Sequence, residues 1–238
     1  MAAVSTFVVD EADVEPVQED GDTTTTRLTF QVEHLEQRVI RFAAGRSRER
    51  SPEGCHDLLY VVAGRGELEL EGRRHALEPG TSVFVAPGER YSVDNPGPGK
   101  LLVVAVAARA ELPVAGDKRR VTVRFDDQPE LTASVERTFR YLINEDAGCL
   151  DVTQFIGIVQ PSKAPFHSHP YEELGYIVKG EGVAHVGGQS IPLRPGSCFH
   201  LPPEKVHCIE NVGPEPMHIL GVFHPSDSPA NRVYEDNK

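Results

Sequence analysis

Apolar and polar residues alternate along most of this chain in short runs, and the runs are cut by glycine and proline. Leu58 to Val62 is continuously apolar, and Glu67, Glu69 and Glu71 then alternate with Leu68 and Leu70. A two-residue period is that of a strand with one buried face, so LLYVVAGRGELELEG predicts two strands about a glycine turn. TSVFVAP, YSVDN and KLLVVAVAA predict three more, and VTQFIGIVQP, ELGYIVKG, GVAHVGG, SCFHLPP, HCIEN and MHILGVF a second series. Short strands with frequent turns predict an all-β sandwich or barrel. ELTASVERTFRYLI is read as holding a short helix or turn, and RVTVRF as an opening strand of the second series.

The two series are one pattern repeated. A shift of 116 residues lays Leu58–Gly66 on Leu174–Gly182 without a gap, and it matches Pro79 with Pro195, Gly80 with Gly196, Pro87 with Pro203, Asn95 with Asn211 and Gly97 with Gly213. So long a period is not that of a solenoid; it is a duplicated domain. The expected division is an acidic arm of weak order over 1–27, one domain over 28–112 and a second over 113–238.

Composition narrows the function. The chain has 238 residues, 21 Gly, 19 Pro, no Trp and a net charge of −12. That charge opposes nucleic-acid binding, which needs a basic surface. No run of 18 apolar residues predicts a membrane span. No signal peptide is visible, and Cys55, Cys149, Cys198 and Cys208 form no CxxC pair; a cytoplasmic protein with reduced thiols is expected.

The chemistry gathers in FHSHPYEELGYIVKG. His167 and His169, two apart on extended chain, share a face. Glu173 follows, and His207 comes 34 residues after Glu173. Three imidazoles and a carboxylate suit a divalent transition metal such as Mn, Fe, Co, Ni or Zn. Gln154, Tyr176, His200 and His218 are candidates for the same pocket, although packing explains each of them equally simply. Glu172 is expected to point away from Glu173, and Cys208 away from the site. The shift places Ser51, Glu53, Asp57 and Tyr91 at the four ligand positions of the first copy. With no imidazole, that copy is expected to be metal-free.

These residues resemble the cupin superfamily, in particular a two-domain bicupin. His167, His169, Glu173 and Gly180 fit the spacing of its first motif, and Gly196, Pro202, His207 and Asn211 that of its second. Glu204 stands where the family has glycine, which predicts a differently built turn. The resemblance implies two tandem jelly-roll barrels, with a metal near the mouth of the second held by His167, His169, Glu173 and His207. The resemblance itself fixes neither substrate nor reaction. The leading expectation is a metal-dependent enzyme acting on a small oxygenated molecule, with oxidative chemistry of the Fe or Mn dioxygenase type the most common for such a resemblance and Glu173 taking a proton. An isomerase, epimerase or lyase using the same metal, or a non-catalytic small-molecule binder, are the alternatives. A monomer or a homodimer both fit two barrels in one chain.

Overall fold

The computed structural model describes residues 7–18 and 20–234. They form strands and a few single-turn 3-10 helices. None of these helices is long and apolar enough to cross a membrane. The chain divides into two compact units. One comprises 14–128 and 142–151, and the other the residues up to 13, 129–141 and those from 152 onward.

In the first unit a seven-stranded antiparallel sheet is centred on Cys55–Ala63, which pairs with Thr81–Val85 on one side and Leu101–Arg109 on the other. A four-stranded sheet contains Gly66–Leu70 and Tyr91–Asn95. Ile40, Phe42, Leu59 and Val61 of the larger sheet share one core with Leu68, Leu70 and Val93 of the smaller. Each of these side chains is an alternate residue of its strand, so the two-residue period turns one face of each sheet inward.

The second unit repeats the plan. Glu172–Lys179 lies between Ser197–Leu201 and Met217–His224 in a seven-stranded sheet, and Gly182–Val186 pairs with His207–Asn211 in a six-stranded one. Ile177, Phe199 and Ile219 of one sheet pack with Ala184, Val186 and Leu193 of the other. Two facing antiparallel sheets of this kind make the jelly roll that the strand pattern predicts.

Asn95 and Asn211 play one structural part in the two copies. Asn95 Nδ2 donates to Phe42 O at 2.9 Å and Gly99 O at 2.8 Å, and its Oδ1 accepts from Gly97 N. Asn211 Nδ2 donates to Val159 O and Glu215 O, both at 2.8 Å, and its Oδ1 accepts from Gly213 N. Each clamp ties a strand end to the next turn.

Three local expectations change and a fourth is narrowed. Within the acidic start, of which 1–6 and 19 lie outside the described residues, Val8–Asp10 adds to Ser197–Phe199, and Val17–Gln18 pairs with Thr25–Thr26. Thr122–Arg124 does not open the second unit but pairs with Thr81–Val83 of the first. Each unit thus takes an edge strand from the segment that precedes the other copy in sequence. The sheet edges offer unpaired N–H and C=O groups, and a short segment can satisfy them whatever its place in the chain. Leu131–Ser134 and Arg137–Ile143 form a hairpin, so of a short helix or a turn the segment holds the turn. Glu204 adopts a left-handed φ of 60°, as its counterpart Gly88 does at 80°. Glu204 N donates to His169 O at 2.8 Å, and Gly88 N to Pro52 O at 2.8 Å. The turn is the same in both copies, and Glu204 bears the backbone strain that glycine avoids.

Candidate functional site

His167 lies on the two-residue strand His167–Ser168, paired between His207 and Tyr234. Glu173 lies on Glu172–Lys179, opposite Leu201 on one side and Phe223 on the other. Beneath it Gly221 leaves space: a Cβ there would fall 2.3 Å from Phe155 Cε1 and 3.0 Å from Glu173 Oε1. All four predicted ligands are buried and line one cavity of about 70 Å³.

Three imidazoles converge in the same way. Nδ1 of His167 lies 3.0 Å from Pro165 O, that of His169 2.8 Å from Tyr171 O, and that of His207 2.8 Å from Lys205 O. A carbonyl oxygen only accepts, so each Nδ1 carries the proton and each Nε2 of a neutral ring presents a lone pair. The ring centres of His167 and His169 stand 4.5 and 4.9 Å from that of His207. His169 Nε2 lies 3.1 Å from Glu173 Oε2, yet it is buried and makes no hydrogen bond. Burial, with His207 beside it, pushes His167 down to about 3; burial, with His169 beside it, pushes His207 down to about 4.

These depressed values have a consequence for stability. The unfolded chain takes up protons at both histidines near pH 6.5, while the metal-free folded chain does so only near 3 and 4. Between those limits the unfolded state binds more protons, so stability is full above 6.5 and falls as the pH falls towards 4. Each histidine adds a slope of up to about 1.4 kcal/mol per pH unit. Urea midpoints measured in chelator should therefore drop steadily from pH 7 to 4.5. A midpoint that stays level over that range would contradict the buried neutral rings.

Tyr171 closes one wall. Its ring stacks on His169 and on Phe223, both with centres 4.1 Å apart. Burial and the Glu173 charge raise its pKa, so it remains a phenol. Its hydroxyl donates towards Ser228 O at 3.3 Å. Phe139, Phe155 and Phe223 complete an aromatic side.

Gln154, Tyr176, His200 and His218 do not line the cavity. Phe155, Leu201 and Ile219 do, and alternation turns the neighbours of an inward strand residue to the opposite face. His200 Nε2 pairs with Glu172 Oε1 at 2.9 Å, and the Tyr176 hydroxyl donates to Glu11 Oε1 at 3.4 Å. Gln154 is buried opposite Val222. His218 is half-buried, and burial and the Lys179 charge push it down to about 4. Cys208 also faces away and donates to Ala164 O. Cys55, Cys149, Cys198 and Cys208 are all thiols, with no disulfide among them.

Two charged residues of the cavity went unread in the sequence: Arg137 and Arg232. Arg137 Nη1 donates to Ser162 Oγ at 2.9 Å and Nη2 to Ile209 O at 2.8 Å. Arg232 arrives on the chain's return, because Val233 pairs with Ser168 and Tyr234 with His167. Neither lies near the histidine motif in sequence, and no local pattern marks them.

In the first unit the ligand positions need correction. Phe42 takes the place of Val159 at the asparagine clamp, one residue beyond the shift of 116. Arg50 bridges Tyr91 as His167 pairs with His207, and Pro52 O receives Gly88 N as His169 O receives Glu204 N. The counterparts of His167 and His169 are therefore Arg50 and Pro52, not Ser51 and Glu53. Asp57 and Tyr91 keep their places. Asp57 accepts from Arg38 Nη2 at 2.7 Å and from the Tyr91 hydroxyl at 2.9 Å. A guanidinium of the protein itself thus supplies the positive partner of the buried carboxylate.

Comparison with known proteins agrees with this fold. Residues 9–156, more than half of the chain, match the AraC-binding-like domain, and residues 155–223 match the Cupin domain. The chain belongs to the cupin superfamily. Among curated relatives, the oxalate-binding protein of Thermotoga maritima is 35% identical over 63 residues, 26% of this chain and 52% of the relative. The chain thus spans about half the length of that relative. Among solved structures, oxalate decarboxylase of Bacillus subtilis aligns with a TM-score of 0.75 at 15% identity, covering 98% of this chain and 80% of that one. Protein Ylba from E. coli aligns with a TM-score of 0.77 at 15% identity, covering 97% and 92%. At such identities the likeness shows the fold alone.

Proposed function

We propose that the second unit is a metal-dependent enzyme site for a small oxygenated organic molecule. His167, His169, Glu173 and His207 would hold one divalent transition ion such as Mn, Fe, Co, Ni or Zn. One observation carries this reading: His169 Nε2 and Glu173 Oε2, both acceptors, stand 3.1 Å apart in a buried site with no hydrogen bond between them. Two acceptors so placed repel unless a cation or proton lies with them, and neutral imidazoles fixed at Nδ1 are the usual preparation for a metal at Nε2. Among the described residues no group of three or more His, Cys, Asp or Glu side chains stands in a finished ligand arrangement. The support comes from the chemistry of the donors and their orientation.

A bound ion of this kind supplies Lewis acidity and open positions where substrate oxygens are polarised. The chain's own residues do the rest. Among the described residues Glu173 is the one carboxylate lining the cavity, so taking or returning a substrate proton falls to its Oε atoms. Tyr171 is held as a phenol with its hydroxyl turned to Ser228 O, so it contributes its ring to the wall rather than a proton to the substrate. The aromatic side excludes water and leaves room for a molecule of only a few heavy atoms.

The oxidative version of this chemistry is of the dioxygenase type. A lyase or isomerase version gains weight from the names of the solved neighbours, which include a decarboxylase. Oxygen uptake decides between them: protein loaded with Fe or Mn is offered small hydroxy and oxo acids, enols and phenols, in air and under strict anaerobiosis. Substrate-dependent oxygen consumption selects the oxidative version, and turnover without oxygen the other. Tight binding without turnover in either condition would defeat the enzymatic reading.

A further inference from the structure

Among the described residues two guanidinium groups and one carboxylate line the cavity, in a chain of net charge −12. They are Arg137, Arg232 and Glu173, and Glu173 is already engaged as a ligand in the reading above. Neither arginine has a carboxylate within 4.0 Å among the described residues, but Arg137 donates from both terminal nitrogens to the wall, at Ser162 and Ile209. Arg232 differs: its Nε donates to Pro229 O at 3.0 Å, which orients the planar group, and its terminal nitrogens bond to no described residue. A half-buried guanidinium with no counter-ion among the described residues is costly unless an anion arrives with the ligand.

Arg232 is carried by a strap. After Met217–His224 the chain turns back, the Tyr171 hydroxyl reaches Ser228 O and Asn231 O at 3.3 and 3.5 Å, and Val233–Tyr234 adds to the strand that bears His167. Pro229 and Arg232 of this strap line the cavity. The strap is thereby registered on two residues of the histidine segment itself, which sets the guanidinium relative to the imidazoles.

We propose that Arg232 is the specificity-determining residue of this site and that the site takes a small carboxylate anion, the carboxylate accepting from the Arg232 fork. The guanidinium fork can receive a carboxylate or a phosphate, and the small cavity favours the planar carboxylate over the bulkier tetrahedral anion. The cavity of about 70 Å³ limits the ligand to a few heavy atoms. This inference rests on the proposed metal reading for the ligand's second contact, but not for its contact with Arg232.

Calorimetric titration tests it, on full-length protein with the metal content of every sample measured by elemental analysis. The probes are glycolate, its neutral counterpart glycolamide, and inorganic phosphate. Glycolate should bind at least about tenfold more tightly than glycolamide. Arg232→Gln should lose about tenfold or more of the glycolate affinity and leave glycolamide binding, metal content and melting midpoint unchanged. Equal glycolate affinity in Arg232→Gln and the native protein overturns the proposal, as does tighter binding of phosphate than of glycolate, or no binding of glycolate at all. If no metal is found but glycolate still depends on Arg232, the anion site stands and the metal reading falls. If metal is found and Arg232→Gln changes nothing, the reverse holds.

Discussion

Replacing His207 with alanine is expected to strip the protein of a stoichiometric divalent metal. Native protein purified without added metal should carry close to one ion per chain, and the variant less than about a tenth of that. Changes to residues that merely support ligands typically cost roughly 10–100-fold in metal affinity, and loss of a ligand nitrogen should exceed this. The ring removed is neutral, and its Nδ1 partner is a single backbone carbonyl, Lys205 O. The fold should therefore survive, and the effect should show as metal loss rather than as unfolding. His200→Ala is the matched control. His200 lies outside the cavity, paired with Glu172 at 2.9 Å, and its loss should leave metal content unchanged. The native protein should also melt higher with metal than in chelator, since a ligand at 100 times its Kd stabilises by about 2.7 kcal/mol. Full metal retention in His207→Ala would show that the four side chains are not the ligand set.

The second large effect is expected in the other unit. Asp57→Ala should destabilise it by roughly 3 kcal/mol, at the lower end of the range for breaking a buried ion pair. Asp57 is buried and accepts from Arg38 and Tyr91. Burial works against the Arg38 charge, but Asp57 leads the neighbours that hold its pKa above the usual value. Without Asp57 the guanidinium keeps only Glu36, 3.4 Å from Nε, and Arg38 is 24% exposed. That residual partner and exposure set the lower end of the range. Tyr91→Phe removes one hydrogen bond and leaves the ion pair, so about 1–2 kcal/mol is expected. Arg38→Met combined with Asp57→Ala should recover most of the loss, because neither charge then remains. Urea unfolding followed by a probe in this unit measures all three. A cost below about 1 kcal/mol for Asp57→Ala would mean that the pair is not what holds the former ligand positions together.

The two results would express one principle. In the second unit no guanidinium of the described residues pairs with the buried carboxylate, and in the first Arg38 does. A duplicated fold has kept the position of the carboxylate, as Glu173 and Asp57, and has changed what neutralises it.

The strands, the duplication and the four residues of the candidate quartet, which share one cavity, could be read directly from the chain. Strand alternation is local, and a two-residue period shows in any run such as Glu67–Glu71. The quartet was legible because its spacing follows strand and turn lengths that the backbone fixes. The clamps at Asn95 and Asn211 were legible for the same reason, although only as a matched pair of letters.

Other features depend on contacts between distant segments, and the sequence carries no local mark of them. Both faces of Met217–His224 are apolar, so the pattern alone could not assign Ile219 and Phe223 to the cavity and His218 to the other side. The extra residue in the first copy, between Pro52 and Asp57, moved Arg50 and Pro52 into the places that a gapless shift gave to Ser51 and Glu53. Residue identity cannot reveal this where neither pair resembles the histidines, whereas hydrogen-bond register does. An edge strand is specified by open backbone groups rather than by side chains, so nothing in Val8–Asp10, Thr122–Arg124 or Val233–Tyr234 names its partner. The sequence by itself determined that this protein is a duplicated β fold with one candidate metal quartet. Only the tertiary structure decided which side chains share that cavity, because Arg232 is brought there by the backbone pairing of a strap.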